Sequence, residues 1–458
     1  MNKIQNILVA TLIGASLSGC GIYTKYKTPT EDIAVVDSLY DYIKATDDTT
    51  NIATLSWREL FLDPALQTII EQALQSNTDL NVARLNVEQA EVALNTARKA
   101  FLPSLTLTPQ GNFSSTKGVS TKSYAITASA SWEIDVFGKY RNQLEQGRSA
   151  LEQSRAYTQA VQTELIATVT KSYYTLLMLD EQLDITRQTK KNWEENLRSM
   201  EALMRAGRLN KTSVLQSEAS KISLESSIIS LEQQIIEMEN TLSTILAVAP
   251  QHIKRGEMES TTFPSKLSVG VPLQLLSNRP DVRAAEYYLA EAFYATAEAR
   301  SSLYPTITLS GSVGYTNSGG SAISNPGDMV YNAVASLVAP LFNRGTLQAQ
   351  VKISKSQQEQ ALLNFQQTLL DAGAEVNVAL SNWQSAKKLL EIDIAEKIIL
   401  TKAVETSELL MHHGNVNYLE VLTAQLSLLQ SELSFSNNKY NEIASVIELY
   451  RALGGGTK

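Results

Sequence analysis

Four segments of the chain alternate apolar and polar residues with a period of two, which is typical of β-strands with one apolar face. These segments are 103–113, 124–136, 305–316 and 328–341. The fourth is the least regular, because Val330, Val334 and Val338 fall on its polar face. Each segment reaches the ~9–11 residues that a transmembrane β-strand needs. The polar loops 114–122 and 317–327 are predicted to join them into two hairpins.

Two long windows without proline flank these hairpins, and proline is excluded from helix interiors. From Lys139 to Arg205 the only glycine is Gly147. At 1.5 Å per residue, this window predicts a helix of ~100 Å. The window 343–413 corresponds to it in the second half of the chain and contains Gly345 and Gly373.

Heptad repeats follow each window and predict return helices. Apolar residues recur at alternating spacings of four and three, at Leu224, Ile228, Leu231, Ile235, Met238, Leu242 and Ile245, and at Leu419, Leu422, Leu426, Leu429 and Leu433. A period of 3.5 residues predicts a coiled-coil seam against a neighbouring helix. Taken alone, these helices also fit an intracellular coiled-coil rod.

The chain repeats itself in sequence. Residues 97–107 read ARKAFLPSLTL and residues 299–309 read ARSSLYPTITL, a displacement of 202 residues. Residues 204–220 read MRAGRLNKTSVLQSEAS and residues 411–427 read MHHGNVNYLEVLTAQLS, a displacement of 207. We therefore expect an internal two-fold repeat of a unit of about 200 residues.

The strand count limits how the sheet can meet a membrane. A half-buried sheet on a soluble core gives the same alternation, so periodicity alone leaves that reading open. If the strands span a bilayer, four cannot close a barrel, since the smallest membrane barrels have about eight strands. An open sheet edge is not tolerated in lipid. Several chains would then share one barrel, and three chains would supply twelve strands.

Composition and motifs argue against several classes of protein. The 458 residues are 43% hydrophobic and carry a net charge of −8, so no nucleic-acid partner is expected. The sequence has no His-Glu-x-x-His, Gly-x-Ser-x-Gly or Walker motif, and we expect no enzyme activity, catalytic residue or cofactor. His412 and His413 are adjacent and do not share a helix face, so no metal site is expected.

The single cysteine, Cys20, closes a predicted signal peptide. Lys3 is followed by the apolar stretch 7–17, and Leu17-Ser18-Gly19-Cys20 matches the bacterial lipobox. We expect cleavage after residue 19, an S-diacylglyceryl group on the Cys20 thiol and an N-acyl chain on the new N-terminus. Several acyl chains form a stable membrane anchor. The alternative is an ordinary signal peptide with an accidental cysteine.

Several short motifs occur in a fixed order along the chain. They are Trp57-Arg58-Glu59-Leu60-Phe61 with Asp63-Pro64, the run Trp132 to Gly138, Asn278-Arg279-Pro280-Asp281-Val282, Pro340-Leu341-Phe342, and the run Leu449 to Gly456. Together, on a duplicated chain with a lipobox, they resemble the TolC-type outer-membrane efflux proteins. The resemblance is narrower with the lipoprotein branch that serves resistance-nodulation-division pumps.

The resemblance implies an α+β membrane protein that acts as a homotrimer. Its transmembrane β-barrel would have twelve strands, four per chain, and would continue as a long periplasmic α-helical barrel. It would be an exit duct for small molecules such as drugs or metal ions, anchored in outer-membrane lipid. A periplasmic adaptor and an inner-membrane pump would dock on it and open it. A protein-secretion duct and a non-conducting lipid-anchored coiled-coil spacer are the alternatives.

The predicted division of the chain follows from these elements. It comprises a signal peptide (1–19), a lipid-anchored extension (20–56), first-repeat helices (57–100), a first barrel hairpin (101–137), first-repeat coiled-coil helices (138–249), an equatorial linker (250–277), a second-repeat helix (278–303), a second barrel hairpin (304–341), second-repeat coiled-coil helices (342–453) and a tail (454–458).

The turns between the long helices and their return helices contain Gly207 and Gly414, each predicted to end a helix with positive φ. The resemblance implies that these turns form a closed periplasmic tip. The candidate gate residues are Arg205, Gly207, Arg208, Gly414, Asn417, Tyr418, Glu420 and Thr423. Family members often carry two acidic residues inside the second turn; Glu420 keeps one, and Thr423 departs from the other.

Charged residues give two further hypotheses. Arg205 and Arg208 could pair with Glu420 and hold the tip closed, within a chain or between chains. Glu133 and Asp135 lie on the polar face of the second predicted strand, where we expect them to line the lumen. The alternative is that both carboxylates mark the end of a strand.

Overall fold

The computed structural model describes residues 24–29, 52, 55–116, 118–258, 279–317, 328–412 and 418–456. The predicted signal peptide, Cys20, Gly414 and Asn417 lie outside these ranges. The described elements are α1 (Trp57–Leu60), α2 (Pro64–Ser76), α3 (Thr78–Lys99), β1 (Ser104–Thr116), β2 (Val119–Ile134), α4 (Lys139–Arg205), α5 (Lys211–Ile245), α6 (Pro280–Ser301), β3 (Thr306–Asn317), β4 (Asp328–Val338), α7 (Thr346–His412) and α8 (Tyr418–Ala452).

The chain divides into two compact units. The sheet unit contains residues 85–156 and 283–368 together with the N-terminal segment 24–29. The helix unit contains the described residues of 52–84, 157–282 and 369–456.

The sheet unit holds a four-stranded antiparallel sheet in the order β1-β2-β3-β4, which confirms the four predicted strands. The first hairpin is tighter than predicted, because Thr116 already pairs with Val119 inside the predicted loop 114–122. Its polar residues pair as strands, because ladder hydrogen bonds need no apolar side chains. β4 ends at Val338, ahead of Pro340, since proline cannot donate to a ladder. The apolar side chains of the sheet are uncovered in a single chain, with Leu105 81% exposed.

The predicted long helices and return helices are confirmed. α4 and α7 have 67 residues each, and α5 and α8 have 35 each. The predicted seams are buried at Leu224 and Leu242 of α5 and at Leu422 of α8, whereas Leu419 and Leu426 of the second seam are exposed. Among the described helices, none combines the length and apolar character needed to cross a membrane.

The core of the helix unit brings distant sequence motifs together. The hydroxyl of Tyr450 donates to the carbonyl of Leu55 at 2.9 Å, and its ring packs edge-on against Phe61. A Cβ at position 455 would lie 2.4 Å from the Tyr450 ring, so only glycine fits there. Arg279 donates to the carbonyl of Ala452 at 2.8 Å. The described residues of these motifs, 57–61, 279–282 and 449–456, therefore build one structural core.

Candidate gate and lumen residues

The turn between α4 and α5 ends its helix as predicted. Gly207 has φ +72°, and its N–H donates to the carbonyl of Met204 at 2.9 Å. The N–H of Arg208 donates to the carbonyl of Leu203 at 2.9 Å, which completes a Schellman cap. A Cβ at position 207 would meet no atom within 4 Å, so backbone conformation rather than space favours glycine there.

A buried cluster next to this turn joins both helical hairpins. This tip cluster consists of Trp193, Met200, Val214, Leu224, Tyr418 and Leu422. The indole N–H of Trp193 donates to both the carbonyl and the hydroxyl of Ser217, at 3.0 and 2.9 Å. The Ser217 hydroxyl also lies 3.4 Å from the Tyr418 hydroxyl. Burial raises the pKa of Tyr418, although the hydrogen bond with Ser217 opposes this. Tyr418 was a predicted tip residue, whereas Trp193 and Ser217 were not predicted.

The charge pair predicted at the tip, within a chain or between chains, is not formed within a single chain among the described residues. Arg205, Arg208 and Glu420 are exposed, and no ion pair joins either arginine to Glu420 among the described residues. Glu420 instead lines a groove with residues of α7, including Lys402 and Thr406. Its position on α8 therefore directs it towards α7 and away from the α4–α5 turn. A charge pair between chains stays a prediction.

Thr423 shares the exposed face of α8 with Glu420. Its hydroxyl donates to the carbonyl of Leu419 at 2.8 Å, one turn earlier in the same helix. Thr423 thus adds no charge to this face.

Glu133 and Asp135 are both in ion pairs with the start of α4. Glu133 lies 3.0 Å from the Lys139 ammonium, and its other carboxylate oxygen accepts from the Tyr140 hydroxyl at 3.1 Å. Asp135 accepts from the backbone N–H and the guanidinium of Arg141, at 3.0 and 3.2 Å.

The assignment of Asp135 to the second strand is also wrong, since β2 ends at Ile134. A carboxylate just before a helix is stabilised by the N–H groups and the dipole of the first turn, which favours this local pairing. Whether Glu133 and Asp135 face a lumen stays a prediction, but each carboxylate already has a cationic neighbour.

No group of three or more histidine, cysteine, aspartate and glutamate side chains is arranged to hold a metal ion within the described ranges. His413 lies outside those ranges.

The sequence profile of the family described as outer membrane efflux protein matches residues 69–248 and 271–455. The cation efflux system protein CusC of Escherichia coli O6:H1 is 28% identical over 455 residues, which cover 98% of each chain. The probable outer membrane lipoprotein SilC of Salmonella typhimurium is 28% identical over 466 residues, covering 100% of this chain and 99% of SilC.

A solved crystal structure of CusC has the same fold. It superposes with a TM-score of 0.83 at 27% identity, covering 91% of this chain and 96% of that one. The four-stranded sheet and the two long helical hairpins fit this fold, and the family profile matches both halves of the sequence. The chain belongs to the outer membrane efflux protein family.

Proposed function

We propose that this chain forms the outer-membrane exit duct of a tripartite efflux pump. The family match carries this proposal, because it covers both halves of the chain. Similarity to CusC, named as a cation efflux protein, supports metal ions as one cargo class beside drugs. A periplasmic adaptor and an inner-membrane pump complete the machine. The chain is a transporter component and has no catalytic role.

The duct is a homotrimer whose twelve-stranded barrel receives four strands from each chain. Among the described strands, β1 and β4 each pair on one side only, which leaves both edges of the sheet open. The exposed apolar residues of the sheet, such as Leu105 and Tyr331, suit contact with lipid. Closing the sheet with neighbouring chains satisfies the edge groups, which lipid cannot do.

An exposed apolar stripe on α5 supports a helical barrel. Leu215, Ile222, Ile229 and Ile236 recur every seven residues and are each more than half exposed. They are separate from the heptad seam of α5 that packs inside the chain. A helix in a closed barrel has two helical neighbours and needs an apolar seam for each. The stripe on α5 therefore fits a helix of the adjacent chain.

Matching element lengths support the internal two-fold repeat. α7 and α8 have the lengths of α4 and α5 and begin 207 residues later. Backbone positions with positive φ follow the same displacement, at Gly138 and Gly345 and at Ala247 and Gly454. This displacement equals that of the two tip motifs in the sequence.

The N-terminal segment supports a lipid anchor on Cys20. The Thr28 hydroxyl donates to Glu286, and the N–H of Tyr26 donates to the Tyr294 hydroxyl at 3.2 Å. The segment thus follows α6 towards its sheet-proximal end as residue numbers fall. Three residues separate Thr24 from Cys20, and the four Cα–Cα steps between them reach at most ~14 Å. Diacylglyceryl and N-acyl chains on Cys20 would enter the outer membrane near the base of the sheet.

The helix tips form the gate and the docking site for the adaptor. The α4–α5 turn lies at residues 206–210, and residues 413–417 link α7 to α8. The proposed gate residues are Arg205, Gly207, Arg208, Gly414, Asn417, Tyr418, Glu420 and Thr423. At rest the tips close the duct, and Glu420 contributes negative charge near its axis.

Planar-bilayer recording of the purified, acylated trimer tests the duct. We expect small currents, and larger currents in Glu420→Ala, because this variant would lose the predicted charge pair between Glu420 and Arg205 or Arg208 of a neighbouring chain that holds the tip closed. The Cys20→Ser variant tests the anchor separately, since radioactive palmitate should label the wild-type chain only. A wild-type trimer that inserts but carries no current would support the non-conducting spacer instead.

A further inference from the structure

All four strands connect to helical segments at the same end of the sheet. The antiparallel register puts Ser104 opposite Ser131, Ile134 opposite Ile307, and Thr306 opposite Val338. The starts of β1 and β3 and the ends of β2 and β4 therefore lie at one end of the strands. We call this end of the sheet, with residues 98–104, 131–141, 300–307 and 338–346, the sheet–helix junction.

Four cations at the sheet–helix junction have no acidic partner. Arg98, Lys99, Arg300 and Arg344 are exposed, and within the described part of the chain none of them is in an ion pair. The guanidinium of Arg98 contacts only a neutral group, the side-chain oxygen of Asn95 at 3.0 Å. Arg98 and Arg300 occupy equivalent positions in ARKAFLP and ARSSLYP.

The acidic side chains of the junction do not offset these cations. Glu133 is paired with Lys139, and Asp135 is paired with Arg141. The four remaining cations make the sheet–helix junction of each chain positively charged, although the whole chain has a net charge of −8.

Aromatic side chains occupy the same end of the sheet. The indole N–H of Trp132 donates to the carbonyl of Phe101 at 2.9 Å, and Phe101 packs edge-on against Tyr140. Phe137 stacks on Tyr304, with ring centroids 5.0 Å apart. Aromatic rings beside cations are typical of the level where a membrane protein leaves the hydrocarbon.

A cavity of about 330 Å³ opens beside Arg300, large enough for a small ligand. It is lined by Thr24, Phe293, Thr296, Ala297, Arg300, Tyr304 and Gln358. Arg300 and Gln358 bring N–H donors to this cavity, and Thr24 and Tyr304 bring hydroxyls. A guanidinium with neighbouring neutral donors matches the oxygens of a phosphate group.

We propose that the sheet–helix junction binds anionic phospholipid headgroups, with the lipid phosphate in the cavity at Arg300. This inference rests on the proposed function, which places the junction at the membrane surface. Leu341 and Phe342, which precede Arg344, are almost fully exposed and give acyl chains an apolar surface. A soluble phosphate ion would gain nothing from that surface, which favours a lipid as the occupant.

Native mass spectrometry of the full acylated trimer tests this proposal, with phosphatidylglycerol and phosphatidylethanolamine as probes. We expect tighter binding of phosphatidylglycerol to the wild type. Loss of two cations near a membrane headgroup should weaken that binding about thirtyfold in Arg98→Gln/Arg300→Gln. Binding of phosphatidylethanolamine should weaken less, because its ammonium offsets the charge of its phosphate. Lys122→Gln is the matched control, because Lys122 is an exposed cation towards the opposite end of β2.

Several outcomes would overturn the headgroup site. These are equal wild-type affinity for the two lipids, an unchanged affinity in the double variant, or displacement of phosphatidylglycerol by inorganic phosphate alone. If the double variant gives no trimer, Arg300→Lys replaces it in the test. Lysine keeps the charge but lacks the paired N–H donors of a guanidinium, so this variant should bind phosphatidylglycerol more weakly than the wild type. Currents in planar bilayers separate the two proposals, since equal lipid affinities reject the headgroup site even where the trimer conducts.

Discussion

The two helical hairpins, α4–α5 and α7–α8, have equal helix lengths but different chemistry between their helices. Ion pairs join α4 to α5, at Arg187–Glu232 (2.7 Å), Lys190–Glu225 (3.2 Å) and Lys221–Glu194 (3.6 Å). Lys190, Glu194, Lys221 and Glu225 form a square of alternating charge. The charges in this part of the first hairpin compensate one another.

The second hairpin uses mainly neutral donors. Carboxylates of α7 accept from neutral side chains of α8, at Gln425–Glu408 (2.8 Å), Ser431–Glu396 (3.4 Å) and Asn438–Asp393 (2.7 Å). Two ion pairs, Lys397–Glu432 and Arg451–Glu375, accompany them. Equal backbone length thus does not require equal side-chain chemistry. The second hairpin retains negative charge, which threefold assembly would multiply around the axis.

The base of each hairpin, in contrast, is held by a buried arginine from outside its helices. The contacts are Arg255 to Asp180 of α4 and Glu239 of α5, and Arg279 to Glu375 of α7 and the Ala452 carbonyl of α8. The two arginine side chains are 10% and 5% exposed. The two arginines are not related by the 207-residue displacement. An arginine therefore joins the two helices at the base of each hairpin, but from a different sequence position in each half.

Removing either basal arginine should destabilise its hairpin, and Arg255→Met should have the largest effect. Arg255→Met leaves Asp180 and Glu239 without their cation, which costs about 3–5 kcal/mol for a buried pair. Arg279→Met should cost less, because Asp281 and Glu375 are 42% and 39% exposed and Glu375 keeps its ion pair with Arg451. Thermal unfolding of the detergent-solubilised trimer measures the loss. Arg58→Met is the control, because Arg58 and Glu71 are exposed and their pair contributes ~0–1 kcal/mol.

Neutralising the partners should rescue the first of these variants. Arg255→Met with Asp180→Asn and Glu239→Gln removes the unpaired charges and should recover most of the lost stability. A large loss in one hairpin and none in the other would show that the two bases are not equivalent.

The tip cluster gives the next largest effect, and here the hairpins should differ. Trp193 is 1% exposed, whereas Leu400, 207 residues later, is only half-buried. Trp193→Ala should cost about 3–5 kcal/mol through loss of buried volume, and Leu400→Ala should cost less. Trp193→Phe keeps an aromatic ring but removes the indole N–H that donates to Ser217, which should cost ~1–3 kcal/mol of stability. Hydrogen exchange over residues 204–220 reports the local effect, and equal losses at 193 and 400 would contradict the difference.

The strands and the long helices could be predicted from the sequence because one period or one gap in proline sets each of them. The cap at Gly207 could also be predicted, since a local conformation determines it. Trp193 and Ser217 could not, because a heptad pattern shows which face is buried and not which residue of another helix it meets. The pairing of Glu133 with Lys139 was missed for a different reason. Alternation classes every polar strand residue as solvated, and the partner lies beyond the strand.

Acidification should weaken the base of the second hairpin selectively through Asp281. Burial alone would raise the pKa of this carboxyl, but the hydrogen bonds and charge of Arg279 hold it below its usual value. The pair's stability is then fully present above the unfolded pKa of ~3.9 and is lost as pH falls through the lower folded value. Unfolding midpoints between neutral pH and about pH 3 should show this loss in the wild type and not in Arg279→Met. An equal fall of the unfolding midpoint in the wild type and in Arg279→Met would show that Asp281 does not cause the acid sensitivity.

Salt should produce the smallest effect and should separate the two hairpins most directly. Raising the ionic strength from 0.1 M to 1 M shortens the Debye length from about 10 Å to about 3 Å. The exposed pairs Arg187–Glu232 and Lys190–Glu225 contribute only ~0–1 kcal/mol each, and salt should reduce that contribution. Hydrogen exchange in α5 should therefore quicken slightly, while α8 opposite Glu408 and Asp393 should not respond. Lys190→Gln/Lys221→Gln should reduce the response of α5 to the part that comes from Arg187–Glu232, because no cation then remains in the four-residue square. Both hairpins have the same helix lengths, so an equal salt response in α8 would mean that helix length rather than charge sets their local stability.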